Sequence, residues 1–334
     1  MSNINKLFYY WLSISFVLVF IMVIVGGLTR LTGSGLSITE WELFSGIFPP
    51  FNKSEWDQYF ALYKKIPQYK LLNYDMSLED FKIIYYWEYF HRILGRIIGL
   101  FFLIPLILFY ITNQINKKHL SLCASIFFLI LTQGLVGWYM VESGLTQNVS
   151  VSHYRLSLHL FLAFIIISFL ILNYLNYKNN ERKIFFNTKP KLLKILFLLI
   201  LFQIIIGAFV SGLDAGLIYQ TWPKMNLSYF PDDIKIFNSS LINLFNNQSF
   251  VQFLHRTTAY LIILFTLFIG IKLFFEKQKK FLNSYLAVFF VLNLQVFLGI
   301  FTLISGLNLY LASLHQITSV ILVYTILNLN HKLS

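Results

Sequence analysis

Long apolar blocks separated by short polar stretches run the length of the chain, and their lengths predict helices that cross a bilayer. The blocks fall at approximately 8–27, 87–111, 120–141, 154–175, 192–211, 251–274, 284–304 and 309–329. At 1.5 Å per residue, about 20 residues suffice to cross an apolar layer about 30 Å thick. The connections at Lys117-Lys118, from Lys178 to Lys194 and from Lys277 to Lys280 are short and basic. With Lys6 and Lys332 they belong in the cytoplasm by the positive-inside rule. The acids agree, because of the 14 Asp and Glu only Glu181 and Glu276 fall on that side. Both termini are then cytoplasmic. Two longer connections, about 28–86 and 212–250, lie outside, and no soluble domain is left over.

Composition strengthens this picture. The chain is 57% hydrophobic and 12% charged, with a mean hydropathy of +0.67. A soluble domain would carry about twice that share of charge. The net charge of +12 sits in clusters between apolar spans, which is a topology signal and not a nucleic-acid groove. The first span follows a single lysine and ends in Gly-Gly-Leu-Thr-Arg without a small-x-small cleavage site, so it is expected to be a retained helix. No Arg/Ser-rich transit segment precedes it, which favours a bacterial inner membrane over an organelle. Cys123, the one cysteine, excludes an internal disulfide and a Cys-based metal cluster. Any metal has to be held by histidine.

The two halves of the chain read as copies. Gly26, Gly35, Trp41 and Pro50 find Gly207, Gly216, Trp222 and Pro231 at a constant offset of 181. His91-Arg92 is matched by His255-Arg256, and Gln133, Gly137 and Ser143-Gly144-Leu145 by Gln295, Gly299 and Ser305-Gly306-Leu307. Ser157-Leu158-His159 is matched by Ser313-Leu314-His315, and the offset shrinks to 156 without any break in order. The expected fold class is an all-α polytopic membrane protein of eight transmembrane helices in two pseudo-symmetric four-helix bundles, residues 1–180 and 181–334. An even number of spans separates the copies, so they share one orientation.

His91, His159, His255 and His315 open the second, fourth, sixth and eighth spans, each about one turn, or roughly 6–9 Å, below the outer surface. An ionisable side chain in lipid is costly and should face the bundle with a partner. Two histidines per unit at one depth suit bis-imidazole ligation of haem iron, whereas zinc usually takes three or four clustered ligands. The plainer alternative is four interfacial histidines bonded to neighbouring helices. His119, His153 and His331 are expected to be solvated.

The copies differ in charge. Glu88 lies three residues before His91 on the same face, where the second half has Gln252. A carboxylate there could exchange protons, while an amide can only hydrogen-bond. Alternatively, Glu88 pairs with Arg92 or orients His91. Arg96 and Arg155 stand opposite Tyr260 and Leu311, and Arg155 lies one turn before His159, placed to meet a haem propionate. Arg92 and Arg256 are further candidates for propionate contacts. The aromatic content of the long connections (Trp41, Trp56, Tyr219, Trp222, with Pro223) suits covers over an apolar porphyrin edge or, equally, an interfacial belt.

These residues resemble a known family. Gly26-Gly27-Leu28-Thr29-Arg30-Leu31-Thr32-Gly33-Ser34-Gly35-Leu36-Ser37, with Trp41 and Pro49-Pro50, is similar to the first outer loop of haem A synthases of the CtaA/Cox15 family. So are Glu88-Tyr89-Phe90-His91-Arg92 with Gly95-Arg96, and Tyr154-Arg155-Leu156 leading to His159-Leu160. In the second half the similarity runs through Gly212-Leu213-Asp214-Ala215-Gly216, Thr221-Trp222-Pro223 with Met225, and Leu314-His315-Gln316. The resemblance implies oxidation of the C8 methyl of haem O to the formyl group of haem A, by two hydroxylations and loss of water, to supply terminal oxidases. It implies haem b as cofactor, its iron held by His255 and His315. His91 and His159 would face the substrate haem, with Glu88 as an active-site residue. A haem O synthase and an unidentified electron acceptor are the implied partners, and a homo-oligomer stays open. One branch of the family carries a cysteine pair in the first outer loop. This chain has none, removes that route for electrons, and resembles the proteobacterial and mitochondrial branch more closely.

Two other functions remain at this stage. A di-haem b-type electron-transfer protein would want haems at different depths, whereas the four histidines share one level. A transporter or haem-binding chaperone gives no reason for Glu88 to occur in one half alone.

Overall fold

The computed structural model describes residues 6–41, 45–146, 148–181, 183–187, 190–234 and 240–334. Among them the chain is helical, without a β-strand, and eight helices are long and apolar enough to cross a membrane. The elements are α1 (Lys6–Leu31), α2 (Lys53–Tyr63), α3 (Pro67–Leu72), α4 (Leu78–Ile111), α5 (Lys117–Thr146), α6 (His153–Lys178), α7 (Lys191–Gly212), α8 (Leu241–Phe245), α9 (Gln248–Phe275), α10 (Leu282–Ile304) and α11 (Leu309–Leu333). All but α2, α3 and α8 are candidate spans. Residue contacts divide the chain into two compact units, residues 17–163 and residues 1–16 with 164–334, so that α1 and α6 contribute a stretch to each.

Several helix starts are fixed by side chains that satisfy otherwise orphaned N–H groups. Ser77 accepts from Asp80 N while the Asp80 carboxylate accepts from Ser77 N, a reciprocal capping box at the head of α4. Asn247 caps α9 through Phe250 N, and Asn308 caps α11 through Tyr310 N and Leu311 N.

Unit 17–163 has a packed layer that hydropathy alone does not reveal. α4 has 34 residues, about 51 Å at helical rise, which exceeds the apolar layer. Its first turns lie against α2 and α3. Phe81 and Tyr85 pack with Trp56, Phe60, Tyr63, Leu36 and Ile38, and the Phe60 and Phe81 rings stack at 5.0 Å. His91 therefore does not open its helix but lies thirteen residues after Leu78. The other three ligand candidates lie six or seven residues into α6, α9 and α11. Trp56 is buried inside the 45–77 connection, and so serves this layer and not an open edge. Chymotrypsin should accordingly leave the fully buried Tyr63 uncut in detergent-solubilised protein. Rapid cleavage there would contradict a folded connection.

In the other unit, α7 packs on α9 and α11, and α10 on α11. The core between them is aliphatic, with Leu196, Ile200, Val288, Leu292, Val323, Ile326 and Leu327 all buried. His331 corrects an expectation. It is buried rather than solvated, with its Nε2 at 3.1 Å from Asn176 Oδ1 and 3.2 Å from Glu181 Oε2. Lys183 donates to its carbonyl and pairs with Glu181 at 2.9 Å. α11 runs on to Leu333, so it carries the histidine back against 176–183 instead of releasing it to solvent.

Candidate functional site: two pairs of glycine-backed histidines

Each of the four histidines meets a glycine on the preceding long helix. A Cβ added at Gly26 would lie 2.9 Å from His91 Cε1. The corresponding distances are 3.0 Å for Gly137 and His159, 3.1 Å for Gly207 and His255, and 2.9 Å for Gly299 and His315. Any larger residue would displace the ring, so glycine sets how closely each imidazole approaches its neighbour's backbone. His91 and His159 are close enough to interact electrostatically within unit 17–163, and His255 and His315 do so within the other. The sequence-derived pairs are thus brought together, two and two.

The rings fit a haem iron by two further observations. All four residues are half-buried, yet the Nδ1 atoms of His91, His159 and His255 are fully buried with no hydrogen-bond partner among the described residues. A buried polar atom left unsatisfied is costly and signals a missing ligand or a function. His315 shows the alternative state, with its Nδ1 at 2.9 Å from Gln295 O. That contact is the backbone bond that fixes a metal-ligating imidazole and leaves Nε2 for the metal. Among the described residues no group of three or more His, Cys, Asp or Glu could hold a metal ion, which leaves the imidazole pairs as the metal chemistry on offer.

Glutamines brace the backbone at three of the histidines. Gln133, Gln203 and Gln295 donate to the carbonyls of His159, His255 and His315 at 3.0, 2.9 and 2.8 Å. Gln203 escaped the sequence comparison, because the offset of 181 sets it opposite Met22, a different residue type. The four residues before each glycine were the signal that could have found it.

Glu88 is buried and saturated. Its Oε1 accepts from Arg92 Nη2 at 2.6 Å and Nε at 3.0 Å. Its Oε2 accepts from Ser37 Oγ at 2.8 Å and Ile38 N at 2.9 Å. A carboxylate has about four lone-pair sites, and all four are taken. Arg92 also donates to the carbonyls of Ile38 and Glu40, and its guanidinium lies 5.6 Å from the Trp41 ring centroid. The carboxylate therefore ties the start of the first long connection to α4. In the second half Arg256 donates to the carbonyls of Tyr219, Thr221 and Lys224, and Gln252 donates to the Tyr219 carbonyl. An amide replaces a carboxylate there because it has a carbonyl to meet. Burial, then the hydrogen bond to Asp233, holds the Tyr219 phenol above its ordinary pKa, so it stays a donor.

The arginines expected at propionates are differently employed. Arg92 divides its donors between the Glu88 carboxylate and two connection carbonyls, and Arg256 gives its own to three connection carbonyls. Arg155 donates to Tyr139 O at 2.6 Å and lies 3.7 Å from the Tyr139 ring centroid, which leaves several of its N–H groups for another acceptor. Arg96 lies five residues after His91 on α4 and is half-buried. A cleft of about 100 Å³ opens beside Arg92, lined by Ile38, Glu40, Trp41, Trp138 and Glu142 among others. Its aromatic walls and one guanidinium, beside two carboxylates, suit the edge of a flat ligand.

Eight apolar helices define a multi-span membrane protein, and its two pairs of glycine-backed imidazoles suit a planar metallocofactor. Comparison with known proteins makes this specific. The profile of the COX15-CtaA family, described as cytochrome oxidase assembly protein, matches residues 9–327, and the chain belongs to that family. It is 50% identical over 325 residues to the "Heme A synthase" of Pelagibacter ubique, covering 96% of this chain and 94% of that one. It is 40% identical to the "Heme A synthase" of Flavobacterium psychrophilum, with 99% of each chain covered, and 40% identical to that of Rickettsia prowazekii, with 95% of each covered.

Proposed function

We propose that this chain is a haem A synthase, an oxidoreductase that converts the C8 methyl of haem O to the formyl group of haem A for terminal oxidase assembly. Family membership over nearly the whole chain supports the activity. The single observation that carries the site assignment is the unequal charge of two otherwise similar imidazole pairs. His91 and His159 face the substrate haem, beside the Glu88–Arg92 pair and the aromatic cleft. His255 and His315 hold haem b, which supplies electron transfer when bound. Residues 1–180 and 181–334 are two copies of one four-helix unit, with both termini cytoplasmic and both sites toward the outer face. Arg155 has donors left for a propionate. Arg92 and Arg256 act chiefly by holding the long connections over the sites.

The chain's own residues have defined tasks in this reading. The glycines let the imidazoles approach at a fixed depth, and the aliphatic helix faces keep water out. Glu88 and Arg92 hold residues 37–40 against the first site, and Glu88 accepts a proton from the substrate side once one of its four donors moves away. The test is to express the chain with a haem O supply and analyse the extracted pigments. Haem A confirms the reading, whereas haem b at both sites with no haem A would make the chain a di-haem electron carrier. His255→Ala and His315→Ala should each remove a low-spin haem b signal from the purified protein. Full retention in both variants would refute the cofactor assignment.

A further inference from the structure

We propose that Met22 is a positioning residue that makes His91 the releasable ligand of the first site, an inference that rests on His91 and His159 holding the substrate haem. Three of the four histidines share one arrangement. A glutamine stands four residues before the glycine that backs the ring: Gln133 before Gly137, Gln203 before Gly207, and Gln295 before Gly299. Each amide bonds its histidine's carbonyl and comes within 3.3, 3.5 and 3.4 Å of the ring Nε2, respectively. At the fourth site Met22 stands before Gly26, and the His91 ring makes no hydrogen bond among the described residues.

The exchange has a matched partner. Four residues after each histidine the helix presents Gly95, Ala163, Ala259 or Ser319. A Cβ added at Gly95 would approach Met22 Cε to 3.3 Å, so the longer thioether fits best where α4 carries no side chain. Met22 with Gly95 thus replaces the combination seen as Gln203 with Ala259. The two combinations differ in what they allow. A glutamine that bonds the histidine's carbonyl ties the turn carrying the ligand to the neighbouring helix by a directional contact, one that stays in place when the ring Nε2 is given to iron. A thioether offers dispersion and three flexible bonds but no such contact. His91 can therefore turn aside at little cost while His159 keeps its brace.

This asymmetry matches what the two sites must do. A resident cofactor is best held by two braced ligands, as at His255 and His315. A haem that is taken in, altered and passed on needs one ligand that lets go.

Reciprocal exchange tests the idea in the full-length protein with haem b loaded into both sites, without oxygen, as a stand-in. The variants are Met22→Gln with Gly95→Ala, and Gln203→Met with Ala259→Gly. Haem transfer to excess apomyoglobin and carbon monoxide binding after reduction report how readily a ligand leaves. The wild-type protein should show one fast-exchanging, carbon-monoxide-reactive haem and one slow one. The first double variant should slow the fast phase tenfold or more and suppress carbon monoxide binding, and the second should give its own site a fast phase. Unchanged rates and carbon monoxide binding in both, at wild-type haem content, would overturn the proposal. If the first variant fails to accumulate, the second decides alone. The parent reading fails separately, by undiminished haem loading and a persistent fast phase in both His91→Ala and His159→Ala.

Discussion

Gly299→Ala should cost the second site its haem while leaving the fold intact. The added methyl would lie 2.9 Å from His315 Cε1 and 3.3 Å from its Nδ1, closer than real Cβ contacts allow. The clash is with a ring and not with the free end of a flexible chain, so the imidazole itself has to move. Metal–ligand distances tolerate only about 0.2 Å, and a shift of several tenths breaks coordination. Overpacking of this kind typically costs about 1–3 kcal/mol, and every 1.4 kcal/mol is about tenfold in binding. Haem content at His255 and His315 should therefore fall about tenfold or more, measured as low-spin haem per protein. Gly134 on α5 and Gly99 on α4 have nothing within 4 Å of an added Cβ, so Gly134→Ala and Gly99→Ala serve as controls that should keep wild-type spectra. Equal haem content in Gly299→Ala and the controls would show that close backing by glycine is not what holds the ligand in place.

The sequence made some of this legible and hid the rest for identifiable reasons. The eight spans were readable because apolar length is a local property, and each predicted block lies inside a helix long enough to cross a membrane. Helix ends were less readable. Residues 78–86 are too polar for a hydropathy window, yet α4 begins at Leu78 because Ser77 and Asp80 cap it and Phe81 and Tyr85 pack on α2. His331 looked solvated because its partners Asn176 and Glu181 are about 150 residues away in sequence. The four candidate ligand histidines stood out through repetition, and so did Gly26, Gly137, Gly207 and Gly299. What repetition could not show was the purpose of those glycines, which appears only when each is seen against an imidazole ring. Identity matching also passed over Gln203, because the informative fact there was a difference from Met22.

Glu88→Gln should lower haem A formation by about 10²-fold or more, the usual scale for losing a positioned acid–base group. From the sequence, this change looks like a copy of Gln252 in the second half. The structure shows that it is not. All four partners of Glu88 are donors: Arg92 Nε and Nη2, Ser37 Oγ and Ile38 N. A glutamine amide must turn its own N–H groups toward one pair of them, whereas Gln252 meets the Tyr219 carbonyl. The substitution therefore removes a charge and also loosens residues 37–38 from α4. Breaking one partner of a buried ion pair costs about 3–5 kcal/mol, enough to disturb the first site without any catalytic role. Arg92→Lys separates the two effects, since it keeps a positive charge and the carboxylate but gives up the bidentate fork. If Glu88 exchanges protons with the substrate side, Arg92→Lys should retain activity within about tenfold of wild type while Glu88→Gln falls to 1% or less, about the loss expected of a missing acid–base group. Haem b at His255 and His315 should persist in both, and haem O or its hydroxymethyl derivative should accumulate in Glu88→Gln extracts. Equal losses in the two variants, with chymotrypsin now cutting at Tyr63, would instead make Glu88 an anchor for the first connection. Near-normal haem A from Glu88→Gln would remove it from both roles.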